Sequence, residues 1–172
     1  MLRNGGMAAT APGGLSSGMG ESKGSTYRTT LRPLQGSDLD AISRVHVAAC
    51  RLAYQFMDWN YPLGAMREWC EAKSAGWDWI RVAEAEGAVV GYIAMTGAHV
   101  DQFFVDPNWQ GRGHGAALFA AALARGLRPL TLDVFEENHP ARQFYERRGF
   151  REVSRRFSEQ ERAVQLRYEL PA

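Results

Sequence analysis

The sequence predicts an α/β domain in which a largely antiparallel sheet is flanked by helices and contains one strand–helix–strand unit. Three observations lead to this prediction: β-prone and amphipathic segments alternate, a tight turn at Glu86-Gly87 joins two β-prone segments, and a glycine-rich turn joins a strand to a helix. Of the 172 residues, 45% are hydrophobic and 23% are charged. These values are typical of a globular domain with a buried core.

The first part of the predicted domain contains one strand and two helices. Residues 27–32 have strand composition, and a proline and a glycine follow them. Ser37 or Asp38 then caps a helix, and a second, shorter helix spans residues 62–70. The apolar residues of the first helix recur every three or four positions, at Leu39, Ile42, Val45, Ala49, Leu52 and Phe56.

The rest of the chain predicts six strands and two helices. The first two of these strands form a hairpin, and the later strand–helix–strand unit surrounds the glycine-rich turn. The complete order is therefore β-α-α-β-β-β-α-β-α-β-β. The predicted ranges are strands at 77–84, 88–95, 98–105 and 130–135, helices at 113–126 and 140–148, and two further strands between Gly149 and Leu170.

Residues 1–26 differ in composition from everything that follows. They contain 7 of the 18 glycines, 3 of the 6 methionines and no aromatic residue. Such a segment buries too little apolar surface to offset the entropy of ordering it. The sequence therefore predicts a disordered tail at residues 1–26 and one folded domain at residues 27–172.

Charge and cysteine content exclude several classes of partner. The net charge is +1, from 20 basic and 19 acidic residues, which predicts neither nucleic-acid binding nor attraction to an anionic membrane. No apolar run approaches the length of a membrane span. Cys50 and Cys70 are too few for a disulfide framework, and no His or Cys lies at metal-ligand spacing from them. We expect a cytoplasmic protein without a metal, present as a monomer or homodimer.

A glycine-rich turn carries the strongest chemical signal. The strand that ends before Asp106-Pro107 leads through Gly111, Gly113 and Gly115 into a helix. Glycines let backbone N–H groups converge without interference from Cβ atoms, and the helix start adds unpaired N–H groups and a positive dipole end. The turn therefore predicts an anion site, to which Arg112 adds positive charge.

Two common phosphate motifs fit this turn less well. A P-loop requires Gly-Lys-Ser/Thr, and the turn contains no lysine. The dinucleotide fingerprint matches at Gly111, Gly113 and Ala116, with Asp133 downstream. However, five residues separate the strand from the first glycine, and about 60 residues remain, too few for a doubly wound sheet. An NAD-binding oxidoreductase is therefore a weak alternative.

The motif Gln110-x-x-Gly113-x-Gly115 resembles that of the GNAT superfamily of acyl-CoA-dependent N-acetyltransferases. The preceding strand ends in Phe-Phe-Val-Asp-Pro, and residues 138–150 match the family segment Asn…Ala-x-x-Phe-Tyr…Gly-Phe. The resemblance covers residues 88–150. It implies a twisted sheet of six to seven mostly antiparallel strands, acetyl-CoA as cosubstrate, and direct acetyl transfer to a primary amine. The alternative from another class is a non-catalytic acyl-CoA-binding module.

The resemblance also implies roles for individual residues. A main-chain N–H near the strand end at Val105 stabilises the oxyanion, and Tyr145 acts as general acid, since a phenol is protonated at neutral pH. Asn138 binds the cofactor arm or fixes the edge of the active site. The strand residues implied to pair with pantetheine are Phe103, Phe104 and Val105, and those implied to hold the pyrophosphate are Gln110, Gly111, Arg112, Gly113, His114, Gly115 and Ala116.

Three side chains are candidates for the general base that the attacking amine requires. Asp133 occupies the position of the catalytic glutamate in ribosomal-protein N-terminal alanine acetyltransferases. Asp101 and His99 are the other two, and strand alternation predicts that both lie on the face opposite Gln102 and Phe104. His99 is also a candidate for substrate contact. The sequence leaves the base unassigned.

Aromatic residues between positions 54 and 79 indicate where the acceptor binds. In the resembling family the first two helices and their connection form one wall of the acceptor pocket. Trp59 and Tyr61 lie in that connection, where aromatic rings can hold an apolar amine or a cation. We expect a small-molecule amine as acceptor, with a peptide N-terminus as the alternative.

Overall fold

The structure is a computed structural model that describes residues 28–172, and the predicted tail at residues 1–26 lies outside this range. Seven strands and four α-helices occur within the described residues, in the predicted order. None of these helices is both long and apolar enough to cross a bilayer. The elements are β1 (Thr30–Arg32), α1 (Leu39–Ala53), α2 (Leu63–Ser74), β2 (Trp79–Ala85), β3 (Ala88–Thr96), β4 (His99–Val105), α3 (His114–Leu123), β5 (Leu130–Phe135), α4 (His139–Glu146), β6 (Arg151–Ser158) and β7 (Ala163–Leu170).

The strands form one sheet in the order β1-β2-β3-β4-β5-β7-β6, as the fold class predicts. All neighbouring strands are antiparallel except β4 and β5. The dinucleotide-binding interpretation is thereby excluded, because that fold requires a doubly wound parallel sheet.

The parallel strands β4 and β5 separate soon after they begin. Their pairing consists of His99 with Thr131 and Val100 with Leu132, although β4 continues to Val105 and β5 to Phe135. Over these remaining residues the facing edges of the two strands do not pair with each other. The centre of the sheet therefore contains a gap whose walls are main-chain N–H and carbonyl groups.

Helices cover both faces of the sheet and create two cores. On the first face, α3 and α4 pack on residues such as Phe103 and Leu132. On the second face, α1 and α2 pack on Phe104 and Phe135. The α1 stripe is buried at its start, but Leu52 is 51% exposed and Phe56 is 38% exposed. The predicted stripe is therefore wrong after Ala49, because Leu52 lies on the exposed side of the helix and Phe56 lies beyond its end at Ala53.

A β-bulge overturns the predicted alternation along β4. Ala94 pairs with Gln102 but the next residue, Met95, pairs with Val100, so that Asp101 is an extra residue. Val100 and Phe103 consequently face the same core, on the α3/α4 side. His99 therefore lies on the α1/α2 face together with Phe104, and the prediction that it lies on the opposite face is wrong.

Candidate active site

The glycine-rich turn leads from β4 into α3 through a short capped segment. Asp106 Oδ1 accepts a hydrogen bond of 2.8 Å from the Asn108 N–H, and Gln110 Nε2 donates one of 3.1 Å to the Val105 carbonyl. Gly113, with φ of 91°, precedes the helix. Only glycine adopts this backbone region without strain, so Gly113 fixes the direction in which α3 begins.

The start of α3 presents main-chain donors to this turn. The first intrahelical bond joins the Ala117 N–H to the Gly113 carbonyl, and the N–H groups of the three preceding helical residues therefore have no intrahelical acceptor. These residues are His114, Gly115 and Ala116. Gly111 has φ of 75° and completes the bend. The geometry suits an anionic ligand such as a pyrophosphate.

The side chain of His114 faces inward. Its Nδ1 lies 2.8 Å from Thr29 Oγ1, and its ring packs edge-on against Trp109. The Arg112 guanidinium lies over the Trp109 ring, 4.9 Å from its centroid. Burial, together with Arg112, lowers the pKa of His114. The neutral histidine anchors the turn to the chain before β1, and its main chain remains available to a ligand.

Two side chains, one at the N-terminus of α4 and one within it, carry buried polar atoms without hydrogen-bond partners among the described residues. These atoms are Asn138 Nδ2 and the Tyr145 hydroxyl. Asn138 caps the helix through Oδ1, which accepts a bond of 3.3 Å from the Ala141 N–H. Tyr145 packs in the same core as Phe103 and Val105 of β4, and burial raises its pKa well above the usual range. Buried polar groups are rarely left unpaired, so these atoms indicate room for a polar ligand in the gap.

The three candidate bases lie close to where β4 and β5 separate, but their surroundings differ. Arg167 binds Asp133 through two hydrogen bonds, of 2.5 and 3.1 Å. His99 Nδ1 lies 2.9 Å from Thr131 Oγ1, and burial lowers its pKa. Burial raises the pKa of Asp101, whose Oδ2 is buried without a partner in the described chain.

The acceptor-side candidates Trp59 and Tyr61 line a surface cavity of about 510 Å³. Residues 56–59 and Tyr61 form its wall from the α1–α2 connection, and residues 160–162 of the β6–β7 turn form the other wall. The rings of Trp59 and Tyr61 meet edge to face at 5.2 Å. The cavity combines aromatic surfaces with the carboxyl groups of Asp58 and Glu161.

The buried ring of His46 lies between a residue that lines this cavity and a residue of β4 beside the central gap. The ring of His46 stacks parallel to Trp59 at 6.3 Å and lies 4.2 Å from that of Phe104 on β4. Its Nδ1 is 2.6 Å from the Tyr92 hydroxyl, and burial lowers its pKa to about 3. The sequence does not indicate these contacts, because nothing in the neighbours of His46 specifies the distant strands that it contacts.

Sequence reasoning also missed Arg167 and Gln102. Arg167 pairs with Asp133 because β7 lies antiparallel to β5 in a register that brings these residues together. Gln102 is 2% exposed and follows the bulge. Strand register and bulge position decide both placements, and local sequence specifies neither. Among residues 28–172, no group of three or more His, Cys, Asp or Glu side chains is placed to hold a metal ion.

Comparison with known families gives a match over most of the described chain. Residues 65–167 match the model of the acetyltransferase (GNAT) domain. This range contains β4, the glycine-rich turn, β5 and α4 in full, and it therefore includes the turn, the gap and the unpaired polar atoms described above.

Two bacterial relatives are similar to the chain. The peptidyl-lysine N-acetyltransferase YjaB of Salmonella typhimurium is 38% identical over 78 residues, which is 45% of this chain and 52% of the relative. The peptidyl-lysine N-acetyltransferase YiaC of Escherichia coli is 31% identical over 126 residues, which is 70% of this chain and 82% of the relative. The matched region thus spans about half the length of the first relative and most of the second.

Solved structures share the fold. Apo-form YjaB from Escherichia coli superposes with a TM-score of 0.70 at 22% identity, covering 84% of this chain and 99% of that one. The structure of yncA from Salmonella typhimurium, which includes its cofactor acetyl-CoA, gives a TM-score of 0.60 at 20% identity over 83% of this chain and 93% of that one. At these identities the likeness concerns the fold.

Proposed function

This chain belongs to the GNAT acetyltransferase family, and from that premise we propose that it acetylates the side-chain amine of lysine residues in protein substrates. As a member of the family it is an acetyl-CoA-dependent N-acetyltransferase. The acceptor is the proposed part. Two relatives are named as peptidyl-lysine N-acetyltransferases, which favours lysine over the small-molecule amine expected from the sequence.

The surface cavity between the α1–α2 connection and the β6–β7 turn is the observation that carries this proposal. A lysine reaches into such a cavity from a protein surface, with its methylene groups against Trp59 and Tyr61 and its ammonium drawn to the ring faces. Asp58 and Glu161 line the same cavity beside Arg162, so its two carboxylates outnumber its one guanidinium and favour a cationic side chain.

The cofactor occupies the gap and the glycine-rich turn in this proposal. The main chain of Phe103, Phe104 and Val105 pairs with the pantetheine arm, as a further strand would. The turn and the first residues of α3 bind the pyrophosphate through N–H groups and the helix dipole, and Asn138 donates through Nδ2. Acetyl-CoA supplies an activated acetyl group and a thiolate leaving group. We further propose that residues 27–172 are the catalytic domain.

Asp101 is the proposed base. It takes one proton from the lysine ammonium, the free amine forms a bond to the acetyl carbon, the carbon–sulfur bond breaks, and the second proton leaves the nitrogen to solvent. Tyr145 gives its phenolic proton to the departing sulfur, and its raised pKa keeps it protonated until then. Both groups then exchange protons with solvent, and no covalent intermediate with the enzyme is needed.

Two observations favour Asp101 over the other candidates. The guanidinium of Arg167 donates a hydrogen bond to each oxygen of Asp133 and therefore competes with an ammonium for both of them. Burial lowers the pKa of His99 and raises the pKa of Asp101, and each shift is measured from that group's own usual value. Asp101 Oδ2 is buried without a hydrogen-bond partner among the described residues, whereas His99 Nδ1 lies 2.9 Å from Thr131 Oγ1.

Thiol release from acetyl-CoA tests the proposal against a panel of acceptors. The panel contains a peptide with one internal lysine and a blocked N-terminus, the same peptide with arginine in place of lysine and a free N-terminus, and several small primary amines. We expect release with the lysine peptide. Release with only the free N-terminus or only the small amines would contradict a lysine acceptor.

A further inference from the structure

A buried glutamine lies where the two central strands separate. Gln102 directly follows the bulge residue Asp101 and pairs with Ala94 of β3. It is 2% exposed. β4 and β5 stop pairing two residues earlier, after Val100, so Gln102 occupies the first part of β4 that borders the gap.

Gln102 and Asp101 each carry a buried acceptor oxygen that receives no hydrogen bond from the described residues. Gln102 Oε1 and Asp101 Oδ2 are both buried, and neither has a hydrogen-bond partner among residues 28–172. Buried oxygens without donors are rare in native proteins, because their desolvation is not compensated. Two such oxygens on successive residues indicate a ligand with several hydrogen-bond donors.

The chemistry of the two substrates decides which of them fits. The thioester of acetyl-CoA offers only acceptors at the reacting carbon, and the nearest amide N–H of its pantetheine arm is a single donor, so that it would leave at least one of the two oxygens unsatisfied. A primary ammonium has three N–H donors on one nitrogen. It can therefore donate to the Asp101 carboxylate and to the Gln102 amide oxygen at the same time.

We propose that Gln102 is a catalytic residue that accepts one N–H of the acceptor amine through Oε1. Asp101 receives the proton that leaves, and the bond to Gln102 holds the nitrogen so that its lone pair points toward the acetyl carbon. An uncharged acceptor suits this position, since it binds the amine in its charged and its neutral form without competing for the proton. This inference rests on the proposed acetyl transfer to a primary amine, and it names the atoms that orient that amine.

Two variants separate the acceptor atom from the volume of the side chain. Gln102→Met keeps the length of the side chain and removes Oε1, whereas Gln102→Glu keeps an oxygen acceptor. We expect Gln102→Met to lower kcat/KM for the acceptor by ~10- to ~100-fold, as the loss of a hydrogen bond to a charged group implies. The dissociation constant of acetyl-CoA, from calorimetry, should stay within about twofold. Gln102→Glu should retain more activity than Gln102→Met.

A modified acceptor gives a test that does not depend on how well the variant folds. A peptide with Nε,Nε-dimethyl-lysine keeps a single N–H on its ammonium and cannot donate to Asp101 and to Gln102 at the same time. If Gln102 accepts a second N–H, the ratio of the dissociation constants of the dimethyl-lysine and lysine peptides should shrink about 10-fold in Gln102→Met relative to the wild-type chain. An unchanged ratio would overturn the proposal. So would a large loss of acetyl-CoA affinity, since Gln102 would then bind the pantetheine arm.

The acceptor panel keeps this test separate from the lysine proposal. Failure of the lysine proposal appears in the wild-type chain, as thiol release with small amines but not with the lysine peptide. The Gln102 comparison then proceeds with the dissociation constants of the best small primary amine and its N,N-dimethyl derivative. Only the ratio between Gln102→Met and the wild-type chain decides the role of Gln102.

Discussion

The two faces of the sheet are built from different kinds of sequence. On the cofactor side, two short segments, residues 103–116 and 138–150, supply the turn, the start of α3 and the unpaired polar atoms of α4. On the acceptor side, the cavity comes from the α1–α2 connection and the β6–β7 turn, and the candidate bases come from β4 and β5. The cofactor side relies on main-chain groups and the acceptor side on side chains.

This difference indicates that cofactor binding and acceptor selection can vary independently of each other. Main-chain donors are common to every residue, so the cofactor side needs only a backbone of the right shape. The acceptor side depends on which side chains meet across distant segments. Changes on one face should therefore alter either cofactor binding or acceptor selection, but not both.

The largest effect on turnover is expected for Tyr145, which acts where the cofactor and the acceptor meet. Tyr145→Phe should lower kcat by ~10²- to ~10⁴-fold with unchanged acetyl-CoA affinity, because only the proton donor is lost. Its hydroxyl has no partner within the described residues, so thermal stability should not fall. Thiol release, calorimetry and a melting curve measure the three quantities.

Tyr92→Phe is the matched control for Tyr145→Phe. It also removes a buried phenolic hydroxyl, but this one is hydrogen-bonded to His46. We expect a loss of about 1 kcal/mol in the free energy of unfolding with turnover largely retained. Equal effects of the two variants on turnover would contradict a specific role for Tyr145.

The next largest effect concerns the base. Because burial raises the pKa of Asp101, the carboxylate is charged only above that raised pKa, and kcat/KM for the acceptor should fall as the pH drops through it. Asp101→Asn should lower kcat by ~10²- to ~10³-fold and remove this acidic limb. The pH profiles of both forms check this prediction.

Asp133→Asn is the comparison for Asp101→Asn. It releases Arg167 from its ion pair and should lower stability, but the acidic limb should remain. A limb that persists in Asp101→Asn and disappears in Asp133→Asn would assign the base to Asp133 instead.

An intermediate effect is expected on the cofactor side alone. Gly113→Ala places a Cβ at a φ of 91°, where no neighbouring atom obstructs it, so backbone strain of ~1–2 kcal/mol is the only penalty. The dissociation constant of acetyl-CoA should rise about 10-fold, while KM for the acceptor stays unchanged. Gly36→Ala, also without a neighbour within 4 Å and not at positive φ, is the control and should change neither.

The smallest effect is expected on the acceptor side. Trp59→Leu removes an aromatic face from the cavity and should raise KM for the lysine peptide about 3- to 10-fold. Acetyl-CoA affinity should not change. A comparable loss of acetyl-CoA affinity would show that the cavity and the gap are not separable, and would break the comparison between the two faces.

The same contrast explains what could be predicted from the sequence. The order of elements and the position of the turn were predicted because turn residues and hydrophobic periodicity are local signals. The side of β4 on which His99 lies could not be predicted, because one extra residue at Asp101 reverses the alternation. The bond between Asp133 and Arg167 depends on the register of strands that are 34 residues apart.

The identity of the acetylated nitrogen shows most directly whether the chain acetylates lysine side chains. A peptide with a free N-terminus and one internal lysine is incubated with acetyl-CoA and the full chain, and the product is sequenced by tandem mass spectrometry. We expect one added acetyl group on lysine Nζ, and at least ~100-fold slower appearance of this product when Tyr145→Phe replaces the wild-type chain under the same conditions. An acetyl group on the N-terminal nitrogen, or an unmodified peptide beside acetylated small amines, would contradict it.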